Sequence, residues 1–435
     1  MDRGEAGAGF KVGGVANTIE GVKQQVTGPD VTGLRRRLLY VLFTGTTLGW
    51  IGFIATLTVA TVAARSLTGS TILAGIPLAA GALGQALGTN LFGRLSASRG
   101  RRYIMLMGPP LSALGAVLEL VGVAVGWYWM LVAGAVFVGV GLGSQHLSRY
   151  VAAELAQEQH RGLTMGILVW SGALGAVVGA NLVEGVGRIV EGSLGSPYAG
   201  AFLLAAMAFL LTWLLFWLAL RPDPSKVAVV AQVAPAGGRG GAVGAALRFP
   251  AVQVAILGLI SAQVVMVTVM TATPLRIEDA GYGLNIVGVV ISTHTVGMFV
   301  FAPLVGKLVD RVGHLSVLGI GLVVTLASLL LSGIAPFDGY GMLNAGLFLL
   351  GLGWSFSFVA ASSMLFAAAP ADIRQVVEGW ADSVVHVMVM TGSAAAGVLM
   401  SAIGFGLLNL VSAGFLLAIG LLVSFAPRLR TELAG

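Results

Sequence analysis

Twelve times along this chain an apolar run recurs that is long enough, as a helix of about 20 residues, to cross roughly 30 Å of hydrocarbon. The runs fall at 38–64, 71–92, 103–124, 127–148, 163–187 and 199–220, then at 250–275, 284–305, 315–337, 340–368, 377–402 and 405–426. The expected fold is therefore an all-α membrane protein of twelve transmembrane helices. Composition closes the alternatives: 57% of residues are hydrophobic and 10% charged, where soluble domains carry about 45–50% and about 25%. So few charges cannot cover a watery surface, which excludes soluble, disordered and fibrous classes. Glycines recur at four-residue spacing in Gly84 with Gly88, Gly139 with Gly143 and Gly175 with Gly179, as close helix packing in lipid requires. The chain has no cysteine, which removes disulfides, thiolate metal sites and cysteine nucleophiles.

Lysine and arginine are sorted by side. With the N-terminus in the cytoplasm, 21 of the 24 basic residues fall in inward segments, leaving Arg65, Arg188 and Arg276 outside. By the positive-inside rule, both termini are expected in the cytoplasm of a multi-pass protein of the plasma membrane. The formal charge of +6 then follows from topology, and no nucleic-acid partner is expected. Pro222, Pro224 and Pro235, beside the run Gly237-Gly238-Arg239-Gly240-Gly241, mark 221–249 as a cytoplasmic linker. The chain thus divides into a tail (1–37), a six-helix bundle (38–220), the linker, a second six-helix bundle (250–426) and a tail (427–435). In the first tail, Val12, Val15, Ile19, Val22 and Val26 fit either a short amphipathic helix on the inner leaflet or a frayed end.

The two bundles carry an internal repeat. Gly93-Arg94-Leu95-Ser96-Ala97-Ser98-Arg99-Gly100-Arg101-Arg102 follows the second span, and Gly306-Lys307-Leu308-Val309-Asp310-Arg311-Val312-Gly313-His314 follows the eighth, at an offset of 306 − 93 = 213. The loop after the fourth span contains Glu154 and Arg161-Gly162; the loop after the tenth contains Arg374, and 374 − 161 is again 213. Two matches at one offset, in corresponding turns, indicate a duplicated six-helix unit.

On these loops the sequence resembles the major facilitator superfamily of secondary transporters. The family's glycine, leucine, aspartate, arginine, glycine signature is met at Gly306, Leu308, Asp310, Arg311 and Gly313, and more loosely at Gly93, Leu95, Gly100, Arg101 and Arg102. Ala97 stands where the family usually has aspartate, Ala135 where its fourth helix usually has arginine, and Gly175 to Gly179 lack the proline common in exporters. The resemblance implies two pseudo-symmetric six-helix bundles and a cytoplasmic gate. Asp310 would sit against the inner, positive end of helix 5, with Gly93, Arg94, Gly100, Arg101, Arg102, Glu154, Arg161, Gly306, Lys307, Arg311 and Gly313 around it.

Ionisable groups inside the bilayer are functional candidates by default. Asp382 and His386, four residues apart, share one face of span 11, near mid-membrane for His386, and His294 lies at similar depth in span 8. Asp382 with His386 suits proton carriage as well as it suits a buried hydrogen-bonded pair. Glu119 on span 3 is a further proton or substrate candidate, and Gln263 and Trp50 are candidates for lining a mixed cavity suited to an amphipathic solute. No arginine is expected deep in any span, which disfavours a strongly anionic substrate. Methionines near the two histidines raise transport of a soft metal as an alternative, although methionine at helical spacing is usually packing.

Motifs for hydrolases, phosphate-binding enzymes or resident metals are missing, so neither enzyme activity nor a cofactor or bound metal is expected. The leading expectation is proton-coupled efflux of an amphipathic organic compound by alternating access. Solute uptake, metal-ion transport and a non-transporting sensor or assembly protein on the same fold are the alternatives.

Overall fold

A computed structural model describes residues 29–424, except 71–72, 74, 195, 197, 230–240, 282–283 and 338. The expected amphipathic helix of the first tail and the tail from 427 lie outside the described residues. The first half comprises α1 (Pro29–Thr68), α2 (Ile76–Arg99), α3 (Arg101–Ala124), α4 (Tyr128–Leu155), α5 (Arg161–Leu194) and α6 (Ala199–Ala219). The second comprises α7 (Pro250–Asp279), α8 in two pieces (Leu284–Phe299 and Ala302–Val312), α9 (His314–Gly333) and α10 (Tyr340–Ala368). The continuous stretch Arg374–Ser424 completes it, turning at Gly404 into α11 (374–403) and α12 (405–424). No strand occurs among the described residues.

Helix ends differ from the apolar runs for local reasons. Hydropathy marks only the stretch in contact with lipid or core, whereas the backbone continues helical until something stops it. Thus α1 starts nine residues earlier than its apolar run, and α2 continues to Arg99. Span 8 is broken at 300–301, just before Pro303, which supplies no amide hydrogen for the preceding turn. The tight turns at 125–126 and 403–404 pivot on Gly126 and Gly404, whose φ of +75° and +74° only glycine takes without strain.

Among the described residues, ten helices are long and apolar enough to cross a membrane; α2 and α11 fall short. Both are interrupted by polar side chains, Gln85, Thr89 and Asn90 in one and Glu378, Asp382 and His386 in the other. They tolerate these groups because they pack on one another across the two halves, Gly93 against Gly379, rather than facing lipid alone.

The repeat is visible as backbone geometry. Gly100 (φ +88°, ψ 170°) separates α2 from α3, and Gly313, 213 residues on, separates α8 from α9 at φ +86°, ψ 160°. Close approaches obey the same offset. A methyl built on Gly306 would lie 2.1 Å from the Gly162 carbonyl oxygen, and one on Gly93 2.8 Å from that of Gln375. A methyl on Gly166 would lie 2.2 Å from the Ala302 oxygen, and one on Gly379 2.5 Å from that of Thr89. Each pair maps onto the other by adding 213 to its first-half member and subtracting 213 from its second-half member, so α2 on α11 and α5 on α8 form two pseudo-equivalent seams.

Hydrophobic packing shows how the halves meet. At the end carrying Arg94, Arg101, Lys307 and Arg311, here called the basic end, one core runs through both halves, from Leu38, Phe92 and Tyr150 to Val309, Val359 and Val377. Toward the opposite end the core splits. Val265, Leu347 and Leu408 belong to a cluster confined to the second half, while Ala55, Phe209 and Phe202 lie in clusters confined to the first. The halves are closed upon each other at the basic end and part toward the other.

The described start of the linker is not loose. Arg35 Nε donates to the Val227 carbonyl at 2.7 Å, Arg37 to the carbonyl of Arg221, and Val229 N to that of Glu154 at 2.8 Å. Asp223 Oδ2 accepts from Arg102 N and Ser225 Oγ from Arg101 N, capping α3 from a distant segment. Residues 221–229 of the linker are folded onto the first half.

Candidate functional site

At the basic end, Asp310 on α8 accepts the N–H of Gly162 at 2.7 Å and of Leu163 at 2.8 Å, so its carboxylate caps the N-terminus of α5 across the two halves. The amides at a helix N-terminus lack intrahelical partners and carry partial positive charge. The pseudo-equivalent seam has Ala97 and no cap. There Arg101, fully buried, donates from Nε and Nη2 to Glu154 on α4 (3.1 and 2.7 Å) and from Nη2 to Glu378 on α11 (2.8 Å). One seam is latched by a carboxylate on backbone amides, the other by a guanidinium between two carboxylates.

The remaining gate candidates divide by position. Arg94, Lys307 and Arg311 are exposed. Arg102 donates to the carbonyls of Leu220 and Trp217, and Arg161 lies 3.5 Å from Glu158 and over the Phe366 ring. Gly93, Gly306, Asp310, Arg101 and Glu154 are the candidates placed at the seams themselves, with Gly100 and Gly313 at their turns. Asp310→Asn keeps one acceptor and loses the charge, which should weaken the α5 cap by about 1–2 kcal/mol. The expected result is faster opening of the basic end with unchanged thermal stability, measured as a higher labelling rate of a thiol introduced at the seam.

Further in, helices of both halves converge on a polar and aromatic cluster. Arg149 on α4 donates from Nη2 to Asp382 Oδ1 on α11 at 2.6 Å, from Nη2 to the Tyr150 hydroxyl at 2.8 Å and from Nε to Ser362 Oγ at 3.1 Å. Ser362 is the pseudo-symmetry mate of Arg149 (362 − 149 = 213), so their contact lies near the local two-fold axis. The other oxygen, Asp382 Oδ2, is buried without a hydrogen-bond partner among the described residues. His386 Nδ1 faces the Asp382 carbonyl at 2.7 Å, its ring 4.7 Å from that of His146, whose Nε2 lies 3.0 Å from Gln85 Oε1. Trp50, Phe299, Trp354 and Phe358 form a chain of ring contacts from α1 through α8 to α10. Trp354 donates to Gln263 Oε1 at 2.9 Å.

Arg149 corrects a sequence expectation. The sequence counts it among the inward basic residues and predicts no arginine deep in a span; it is 5% exposed and lies inside α4, stacked over Phe358 and Tyr150. Hydropathy sees one charge near a helix end, and a partner 233 residues away is invisible to it. Glu378 is not among the sequence candidates, although Glu378, Asp382 and His386 form an i, i+4, i+8 stripe on α11. His294 is placed apart from this cluster, on the seam between α8 and α10, its Nδ1 on the Leu347 carbonyl at 2.9 Å.

Toward the parted end lies a cavity of about 960 Å3 between α1, α2 and α4 of one half and α7 and α11 of the other, lined by Phe53, Leu57, Gln85, Val138, Thr271 and Met390 among others. Glu119 on α3, 1% exposed, contributes to its wall. Gln85 is shared between this cavity and the histidine pair. Among the described residues no three His, Asp or Glu side chains are grouped to hold a metal ion.

A family model described as the Major Facilitator Superfamily matches residues 39–287 and 254–434. The chain belongs to the major facilitator superfamily. It is 30% identical over 386 residues to the MFS-type transporter YddS of Bacillus subtilis, covering 87% of this chain and 88% of that one. It is 24% identical to the riboflavin transporter RfnT of Brucella anthropi, over 87% and 93% of the two chains. Among solved structures it is similar in fold to the proton:xylose symporter XylE, with a TM-score of 0.72 at 16% identity over 89% of this chain and 95% of that one. The two seams, the shared core at one end and the parted clusters at the other are thus those of a multi-pass membrane transporter of this superfamily, which moves small solutes across a lipid bilayer.

Proposed function

We propose that the protein is a proton-coupled exporter of an amphipathic organic compound, working by alternating access in the plasma membrane with its basic end and both termini in the cytoplasm. The observation that carries this reading is the buried Arg149–Asp382 ion pair, which ties α4 of one half to α11 of the other. The two bodies that rock are residues 38–220 and 250–426. With Asp382 ionised, the pair holds the basic end shut and the cavity open outward. A proton arriving from outside passes the cavity, Gln85, His146 and His386, and neutralises Asp382 at its free Oδ2. The attraction to Arg149 is then lost and the basic end is free to open. Release of the proton inside, with substrate bound, restores the pair and turns the substrate outward.

The direction of exchange follows from this sign: acid outside favours the state that opens inward, so entering protons drive substrate out. An amphipathic solute suits a largely apolar cavity with a few polar groups, Thr56, Gln85, Thr271 and Ser393; RfnT, by name, carries riboflavin.

The test expresses wild type and Asp382→Asn at equal membrane abundance in an efflux-deficient bacterial host and measures accumulation of a panel of toxic organic compounds at external pH 6 and 8. Wild type is expected to lower accumulation of at least one compound, more strongly at pH 6. Asp382→Asn, fixed in the neutral form, is expected to lose both the export and its pH dependence. Equal pH-dependent export by the variant would remove Asp382 from the coupling.

A further inference from the structure

Among the described residues, Glu119 is the one ionisable residue on the wall of the 960 Å3 cavity. Its Oε2 is buried and has no hydrogen-bond partner among the described residues. The side chain is accommodated because residue 134 on α4 is glycine: a methyl there would lie 2.6 Å from Glu119 Cγ. The next residue on α4, Ala135, also lines the cavity and carries no charge. A carboxylate shut in apolar surroundings without a cation is costly to keep. Among the described residues no cation pairs with it: alanine occupies the neighbouring position, and Arg149 is taken by Asp382.

We propose that the cavity binds lipophilic organic cations and that Glu119 is their counter-ion. The proposal rests on the export reading above and names the substrate class. The chemistry is that of a permanently or readily charged amine or onium group on an apolar, ring-bearing body. The body fits a cavity of drug-like volume walled by Phe53, Leu57, Val138 and Met390, and the charge replaces the partner that Glu119 lacks. An anion of the same shape would meet the carboxylate in a site of low polarity, where repulsion is poorly screened.

The experiment uses the purified full-length protein and two probes of equal shape and opposite charge, tetraphenylphosphonium and tetraphenylborate. With each probe measured separately, wild type is expected to bind tetraphenylphosphonium saturably and not to bind tetraphenylborate. Glu119→Gln should weaken binding by about tenfold or more. Ala135→Arg, which supplies an internal cation beside the carboxylate, should weaken it at least as far. Elution profile and thermal unfolding of each variant establish that it is folded; if Ala135→Arg fails to fold, the isosteric Glu119→Gln carries the test alone.

Tetraphenylphosphonium binding by folded Glu119→Gln equal to wild type would overturn the proposal, as would preferential binding of tetraphenylborate by wild type. Such a result leaves the proton-coupling reading standing, because that is scored from the pH dependence of Asp382→Asn. Conversely, charge-selective binding that Glu119→Gln loses, in a protein with no pH-dependent export, supports this inference and removes the coupling.

Discussion

Replacing Arg101 by glutamine is expected to lower the stability of the folded protein by about 3–5 kcal/mol, the largest loss from any single substitution at the basic end. Arg101 has no solvent exposure and neutralises Glu154 and Glu378, whose side chains are 3% and 0% exposed. Its removal leaves two carboxylates buried close together with only the more distant Arg374 to offset their charge, and the attraction of a well-formed pair turns into poorly compensated desolvation and mutual repulsion. Glu378→Gln should behave differently. Among the described residues, Arg101 is the one cation in direct contact with the two carboxylates, Arg374 acting on them from further away, so loss of Glu378 leaves the Arg101–Glu154 pair intact within one half. Folding is then preserved, while the link across to α11 is weakened. A thermal unfolding series in detergent separates the two: a large drop for Arg101→Gln, a small one for Glu378→Gln, and near-normal stability when Arg101→Gln is combined with neutral residues at both glutamates. Equal small drops for both single variants would show that the ion cluster is not what holds this seam.

Gly379→Leu is expected to abolish transport by blocking closure of the basic end. A methyl at residue 379 would lie 2.5 Å from the Thr89 carbonyl oxygen and 2.7 Å from Gly93 Cα. These are backbone atoms of α2, so no side-chain rotation relieves the clash and the helices must separate. Overpacking of this kind costs about 3 kcal/mol against the closed state, roughly a hundredfold shift in its population. Because the chain has no cysteine, Ser96→Cys provides a single reporter. Ser96 is 1% exposed and lies on the same face of α2 as Gly93. Its thiol should react slowly with an impermeant maleimide in the otherwise wild-type protein and at least about tenfold faster in Gly379→Leu. Unchanged labelling together with unchanged transport would show that this close approach is not needed for the closed state.

The two substitutions probe one asymmetry. The α5–α8 seam is held by Asp310 on the amides of Gly162 and Leu163, and its pseudo-equivalent by Arg101 between Glu154 and Glu378. Both seams also rest on glycine contacts that repeat at an offset of 213. A gate made of two dissimilar latches on one repeated frame allows each latch to respond to a different event while the helices move together.

The sequence by itself determined the lipid-spanning helices, their division into two repeats and the family. Apolar run length is dictated by bilayer thickness, and the 213-residue offset is carried by Gly93, Gly100, Gly306 and Gly313, which the backbone needs at close approaches and at positive φ. It also marked Asp310, Asp382 and His386, because charge within or beside an apolar span is rare enough to stand out. Only the tertiary structure decided which charges meet. Arg149 with Asp382, Arg101 with Glu378 and His146 with His386 are pairs formed between opposite halves, more than 200 residues apart in the chain. Likewise, only the fold sets Glu119 of α3 against Gly134 and places it with Ala135 on a cavity wall. Hydropathy is a sum over neighbours along the chain, whereas ion pairing depends on a few ångströms between helices brought together by packing, and that distance is written in no local pattern.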